Sequence, residues 1–361
     1  MKRLDNPMHV TLNYTLHMTA SNNHLTTTEL PIVVYGTIAV ALAFDFINGF
    51  HDSANSIATI VGTRVLRPIQ AVGIAALGNM AGPFIFGTSV AATVGKGIVQ
   101  PEFSTVDVIL AGLIGAIVWD IVTWYFGLPS SSSHALIGGL IGSALIAGGI
   151  HAIVQSGIEK VLIFMVVSPI LGFIAAYGFA ILLLYALKKQ HPTKVNRVFG
   201  KLQILSSMFY SLTHGSNDGQ KTMGVITALL IAGGFLSPKS FAVPNYVILI
   251  AATAIALGTF FGGWRIVRTM AFKLTHLRPY QGFCAETGGG AILTAMAGFG
   301  IPVSTTHSIS GAIMGAGATK RLSAVRWGLG RRIVYAWIIT IPAAAGIAAL
   351  FLTIIRMMTG G

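Results

Sequence analysis

Acidic side chains are scarce in this chain, ten Asp and Glu in 361 residues, and cysteine occurs once, as Cys284. A single cysteine excludes an internal disulfide and leaves the redox compartment unspecified. Charged residues make up 9% of the sequence, where a soluble domain carries about 25%. That deficit excludes an ordinary water-facing surface. The sequence also lacks the alternating segments of about ten residues that build a transmembrane barrel. Residues 1–29 are polar, with Lys2 and Arg3, and contain no apolar signal-peptide core.

What is abundant is apolar sequence. Hydrophobic residues make up 54% and the mean hydropathy is +0.76. A helix needs about 20 apolar residues to cross the hydrocarbon core, and only helices and closed barrels satisfy their backbone there. The apolar runs are long and continuous, so the fold class is an all-α polytopic membrane protein with roughly 10–12 membrane segments. Expected segments are 31–50, 69–94, 105–127, 134–150, 158–187, 202–213, 222–236, 243–264, 280–299, 301–318 and 330–355. The formal charge of +13 does not indicate nucleic acid, because the Lys and Arg fall in short runs between apolar segments, where orientation signals belong. One run, with Lys188, Lys189, Lys194, Arg197 and Lys201, makes 188–201 a basic cytoplasmic loop. The runs Arg265–Arg278 and Lys320–Arg332 look cytoplasmic by the same rule.

Two motifs occur twice, in the same order. Gly49-Phe50-His51-Asp52-Ser53-Ala54-Asn55 aligns with Gly215-Ser216-Asn217-Asp218-Gly219-Gln220-Lys221 on the aspartates. Pro129-Ser130-Ser131-Ser132-Ser133-His134, with Gly138 four residues on, aligns with Pro302-Val303-Ser304-Thr305-Thr306-His307, with Gly311 four residues on. From Asp52 to Pro129 is 77 residues; from Asp218 to Pro302 is 84. A duplicated chain follows: a polar N-terminal tail 1–30, a first membrane repeat 31–187, the loop 188–201, and a second membrane repeat 202–361. Polar interruptions at matching places in two halves point to a transporter binding site. The interruptions, 48–59 and 128–134 among them, are where irregular backbone is expected.

On a helix, Asn48, Asp52, Asn55 and Thr59 form one stripe, and so do His214, Asn217, Asp218 and Lys221. An ionised side chain at mid-membrane costs at least about 2.5–3.5 kcal/mol. Two such aspartates therefore imply partners, and the candidate cation-coupling set is Asp52, Asp218, Asn48, Asn217 and His51, with Glu286 as a further acid in an apolar stretch. Asp120, Asp45 and Asn79 are weaker candidates. Capping of a neighbouring helix is the structural alternative for each. The hydroxyl triplets Ser131, Ser132, Ser133 and Ser304, Thr305, Thr306 follow prolines that end any preceding helix. Each triplet begins an apolar run, so it lies where free N–H groups and the helix dipole favour an anion. With Asn55 and Lys221 they form the candidate phosphate-binding set. Ordinary N-capping would account for one serine, not for two matched triplets. The histidines at 51, 134, 214 and 307 fit a proton relay or a satisfied core role equally well.

These motifs resemble the inorganic phosphate transporter, or phosphate permease, family, in its bacterial low-affinity branch. The resemblance runs from about residue 31 to 355. It implies an inverted-repeat fold with re-entrant helical hairpins carrying the Ser/Thr runs, phosphate between the halves, cation and substrate roles at Asp52 and Asp218, and often a homodimer. Gln220-Lys221 departs from the Asn expected at the end of the second motif, which breaks the symmetry of any second cation site. The function so implied is cation-coupled symport of inorganic phosphate across the cytoplasmic membrane by alternating access. Protons are favoured over sodium because His51 and Lys221 add titratable groups, a neutral metal–phosphate complex is a further form of the substrate, and no cofactor is called for. The alternative is a carrier of another tetrahedral oxyanion, such as sulfate or arsenate. A Ser/His hydrolase is disfavoured: Ser133 and His134 are adjacent and do not face each other on a helix, and no Gly-x-Ser-x-Gly elbow occurs.

Overall fold

The computed structural model describes residues 29–359. The polar tail expected over 1–30 lies outside them except for Glu29 and Leu30, which open the first helix. Twelve α-helices and no strand make up the described residues. In chain order they are α1 Glu29–Gly62, α2 Pro68–Phe86, α3 Ser89–Gly97, α4 Val106–Phe126, α5 Ser132–Gly148, α6 Gln155–Ala186, α7 Pro192–Ala232, α8 Asn245–Phe261, α9 Trp264–Arg268, α10 Pro279–Gly298, α11 Thr305–Ala318 and α12 Trp327–Thr359. A π-turn, Thr269–Leu274, continues α9.

Six helical stretches are long and apolar enough to cross a membrane, and the bent pair Asn245–Phe261 and Trp264–Leu274, kinked by 56°, makes a seventh. α6 and α12 are the most lipid-like of these. Their outward faces carry Ile163, Val166, Ile170 and Ile174, and Tyr335, Ile338 and Ile339, all exposed on the protein surface. α7 behaves differently. It is 41 residues long and rich in polar groups, yet every residue from Thr213 to Leu230 is buried. A polar helix is tolerated at membrane depth when protein, not lipid, surrounds it.

Several segment boundaries are corrected. The stretches 202–213 and 222–236 are parts of the single helix α7, and 214–221 between them is regular helix. The first polar motif likewise lies inside the unbroken α1. Polar residues of α7 there are met by groups of neighbouring segments, so the helix runs on through them. The basic stretch 188–201 is a loop only up to His191, because Pro192 takes the first helical position of α7, where its missing N–H costs nothing. The segment 69–94 is two helices, parted at Gly87, whose φ of 77° is left-handed. The irregular backbone expected over 128–134 is found before Ser132.

α11 has 14 residues, about 21 Å at helical rise, against about 30 Å of hydrocarbon. It cannot cross, and it lies buried along its whole length. The two short motif helices are each held by the other half of the chain. α5 packs along α12 at Ile341, and α11 packs along α6 at Pro169. The halves are thus interlocked, and the ends of α5 and α11 come together at the centre.

Candidate functional site

Each aspartate lies mid-helix, Asp52 on α1 and Asp218 on α7, 1% and 0% exposed. The motif glycines three residues earlier allow this placement. A Cβ on Gly49 would lie 2.1 Å from the Ile255 carbonyl oxygen, and one on Gly215 would lie 2.3 Å from the Asn79 backbone. Only glycine admits a neighbouring helix that close, which presses the motif faces into the centre.

Ser131 and Ser304 are the N-caps of α5 and α11; the Oγ of each accepts from the N–H three residues on, of His134 and His307, at 3.2 Å. The two residues after each cap then meet the aspartates. Ser132 Oγ lies 2.9 Å from Asp52 Oδ2 and 2.6 Å from Asn48 Oδ1. Thr305, at the matching position of the other motif, donates to Asp218 Oδ2 at 2.8 Å. Thr306 donates to Asp52 Oδ2 at 3.2 Å and Ser133 to Asp218 Oδ1 at 3.5 Å. Each aspartate therefore takes one hydroxyl from its own half and one from the other half. Asn55 closes the set, its amide reaching Thr305 Oγ1 at 3.3 Å and Thr306 Oγ1 at 2.9 Å.

Charge is distributed unequally over this symmetric frame. Lys221 Nζ donates to Asp218 Oδ1, to Ser133 Oγ at 2.5 Å and to the Val303 carbonyl at 3.0 Å. Asp218 also has His214 Nε2 at 3.2 Å. Asp52 has no lysine; His51 Nδ1 lies 2.6 Å from its Oδ1. Ligand atoms of Asp52, His214 and Asp218 lie within 4.8 Å of one another, a set of hard oxygens and one imidazole able to hold a cation. Both amide atoms of Asn217, and Asn55 Oδ1, are buried without a hydrogen-bond partner. None of the aspartates, hydroxyl triplets or motif histidines is more than 4% exposed, so the site is closed to water on both sides.

Residues 48–348, spanning all four motif instances, match the model of a family described as "Phosphate transporter family". The chain belongs to the phosphate transporter family. It is 55% identical over 324 residues to a protein of Rhizobium meliloti (strain 1021) named "Probable low-affinity inorganic phosphate transporter", covering 90% of this chain and 96% of that one. A Bacillus subtilis (strain 168) protein with the same name is 42% identical, covering 89% and 96%. Among solved structures, "The sodium-dependent phosphate transporter" aligns with a TM-score of 0.81 at 26% identity, covering 90% of this chain and 99% of that chain. The relatives are named transporters, so this member of the family is a multi-pass membrane carrier and not an enzyme.

Within this phosphate transporter family member, the two aspartates, the residues after each cap, Asn48, Asn55, His51 and Lys221 meet as one cluster, Asn217 lies on α7 beside it without a hydrogen-bond partner, and Glu286 stands apart. Glu286 on α10 lies elsewhere, accepting from Thr59 Oγ1 at 2.5 Å, from Gln203 Nε2 at 3.1 Å and from Ser206 Oγ. Thr59 is two helical turns along α1 from Asp52, so Glu286 shares a helix stripe with the centre but not its contacts. Asp45 accepts from Thr222 at 2.9 Å, and Asp120 is buried with neither carboxylate oxygen hydrogen-bonded. Asn79 sets the orientation of His214, 3.1 Å from its Nδ1, while donating to Thr259 at 2.7 Å.

Two participants, Thr123 and Tyr210, carried no sequence signal of their own, and a third, Ser130, was in the motif but not in the candidate set. Thr123 and Ser130 approach His51 Nε2 at 3.0 and 3.3 Å. Tyr210 donates to the Thr305 carbonyl at 3.1 Å, fixing the start of α11. Ser130 stands in the serine run and could have been included; Thr123 and Tyr210 lie in apolar or mixed sequence. The motif histidines His134 and His307 meet at ring centroids 4.6 Å apart. Pro169 lacks the N–H that would bond Met165, and His307 Nδ1 lies 3.3 Å from that freed carbonyl. Its Nδ1 therefore carries the proton.

Proposed function

We propose that this protein carries inorganic phosphate across the cell membrane by symport with one or more cations, protons favoured over sodium, through alternating access. The observation that supports this most is the crossed contact pattern at the centre, where each aspartate is bound by hydroxyls from both halves. A site built jointly by two interlocked halves must change when one half moves against the other, which is what alternating access requires. Its burial means that no solute reaches it without such a movement.

Phosphate is small, tetrahedral and anionic. The first-turn N–H groups of α5 and α11 have no intrahelical acceptor, and the helix dipoles favour negative charge there. The hydroxyls of Ser131, Ser132, Ser133, Ser304, Thr305 and Thr306, with Asn55, supply donors from two directions. Asp52 and Asp218 hold the coupling cation, with Asn48, Asn217 and His51 beside them, and Glu286 modulates the α1 stripe from its separate cluster. His51 against Asp52 is the observation favouring protons, since an imidazole–carboxylate pair can take up and release one. The solved neighbour's title names sodium, and sodium is the other reading. The two repeats are inverted and the chain forms a homodimer in this proposal.

Labelled-phosphate uptake into liposomes, under a pH gradient alone and then a sodium gradient alone, tests it. Uptake driven by pH and abolished by Asp52→Asn is expected. Uptake only with sodium reverses the coupling ion. No uptake by folded protein under either gradient rejects phosphate and sends the search to sulfate and arsenate as competitors.

A further inference from the structure

The two aspartates lie in matching oxygen frames, yet only one frame contains a fixed positive charge. Aligning the motifs, Asp52 corresponds to Asp218, Ser132 to Thr305, Thr306 to Ser133, Ser130 to Val303 and Asn55 to Lys221. The contacts follow that correspondence: Asp52 with Ser132 and Thr306, Asp218 with Thr305 and Ser133. In the Asp218 frame, the Lys221 ammonium is coordinated by a carboxylate oxygen, a hydroxyl oxygen and a backbone carbonyl. That donor set is what a hard monovalent cation takes, and an all-oxygen cage is its usual protein environment. Lys221 is 1% exposed, so the ammonium does not sample water in this conformation.

In the Asp52 frame the corresponding residue is Asn55. Its side chain is shorter than lysine and ends in an oxygen, and that Oδ1 is buried with no hydrogen-bond partner. One frame thus holds a cation covalently; in the other, the Asn55 amide nitrogen lies on Thr306, the counterpart of Ser133, and the frame has no fixed positive charge and an amide oxygen left unsatisfied. The charges agree: two central carboxylates face one lysine, leaving one negative charge for a mobile ion to neutralise. His51 and His214 touch the two carboxylates.

Building on the symport reading above, we propose that Lys221 is a tethered substitute for a transported cation, filling one of two equivalent cation cages, so that this carrier moves one cation fewer per phosphate than a carrier with both cages open. Lys221 is then a stoichiometry-determining residue, not a phosphate ligand. Replacing it with the residue of the matching position, Lys221→Asn, opens the second cage.

The test is sodium binding to purified protein, measured with radiolabelled sodium at constant ionic strength in choline. Lys221→Asn is expected to bind one more sodium per chain than the wild type. It should also show a larger sodium-dependent rise in unfolding midpoint than the wild type. Lys221→Met, which fills space but offers neither charge nor oxygen, should show neither effect. Folded Lys221→Asn with no additional sodium overturns the proposal, as does a wild type in which sodium already fills two central sites. If Lys221→Asn folds in neither salt, Asn55→Lys decides: a second tethered ammonium should abolish cation-stimulated phosphate binding, and unchanged stimulation overturns the proposal. Sodium binding is read without phosphate flux, so its failure leaves the phosphate assignment standing, and absent phosphate uptake by the wild type leaves the sodium count intact.

Discussion

Asp218 and Lys221 are one turn apart on α7 and both fully enclosed. Removing one partner of a buried ion pair strands the other charge and costs about 3–5 kcal/mol. Asp218→Asn is therefore expected to lower the unfolding midpoint in detergent sharply. The double variant Asp218→Asn/Lys221→Met removes both charges and should recover most of the loss, a coupling that a thermal-shift double-mutant cycle reads directly. Equal loss in the single and double variants would show that the lysine is not the partner that matters. Asp52 has no lysine, only His51 and two hydroxyls, so Asp52→Asn should cost less stability than Asp218→Asn while uptake falls. Ser132 Oγ lies against both Asn48 Oδ1 and Asp52 Oδ2; Ser132→Ala leaves the buried Asn48 oxygen without that donor, while Asp52 keeps Thr306, and should cost about 1–3 kcal/mol, measurable by the same thermal shift.

Among the helices, close backbone approach places the motif faces at the centre. Gly215 lies against the backbone of Asn79, and Gly49 against that of Ile255. Neither neighbour is a flexible side-chain end, so an added methyl must push a helix aside. Gly215→Ala is expected to cost about 1–3 kcal/mol, in the range of overpacked cores, and to disturb His214, which Asn79 orients. A variant whose unfolding midpoint matches the wild type would mean that α2 and α7 can part freely. The short motif helices matter for the opposite reason. α11 is too short to cross a membrane and survives because α6 and α10 enclose it. Its N-terminus is thereby kept at the centre.

Across the molecule, the halves exchange their short helices. α5 of the first half lies on α12 of the second, and α11 of the second lies on α6 of the first. Neither half contains a complete hydroxyl set for its own aspartate. A chain cut in the turn before Pro192 should therefore work only when both pieces are made together. Co-expressed halves are expected to co-purify and to support phosphate uptake, whereas either half alone should aggregate or be degraded. Uptake by a single half would contradict the crossed site.

Some of this was determined by the sequence alone. Scarcity of charge and long apolar runs leave no state but a helical bundle in lipid, because backbone polar groups cannot go unsatisfied there. The repeated motifs identify Asp52, Asp218 and the two hydroxyl triplets as one set, since buried acids and matched polar triplets in apolar sequence need partners. The lysine that stands opposite Asn55 is visible in the same alignment. Tertiary structure decided the rest. Local patterns do not show that 188–201 is mostly helix, because lysine and arginine are good helix formers as well as loop residues. Nor do they show that α7 runs unbroken through its motif, since polarity was read as interruption although the surrounding helices solvate it. The assignment of Thr306 to Asp52 and Ser133 to Asp218, the removal of Glu286 to a cluster with Thr59, Gln203 and Ser206, and the enclosure of Lys221 by Asp218, Ser133 and Val303 depend on helices far apart in sequence. Their relative positions are fixed by packing between the halves, which no single segment encodes.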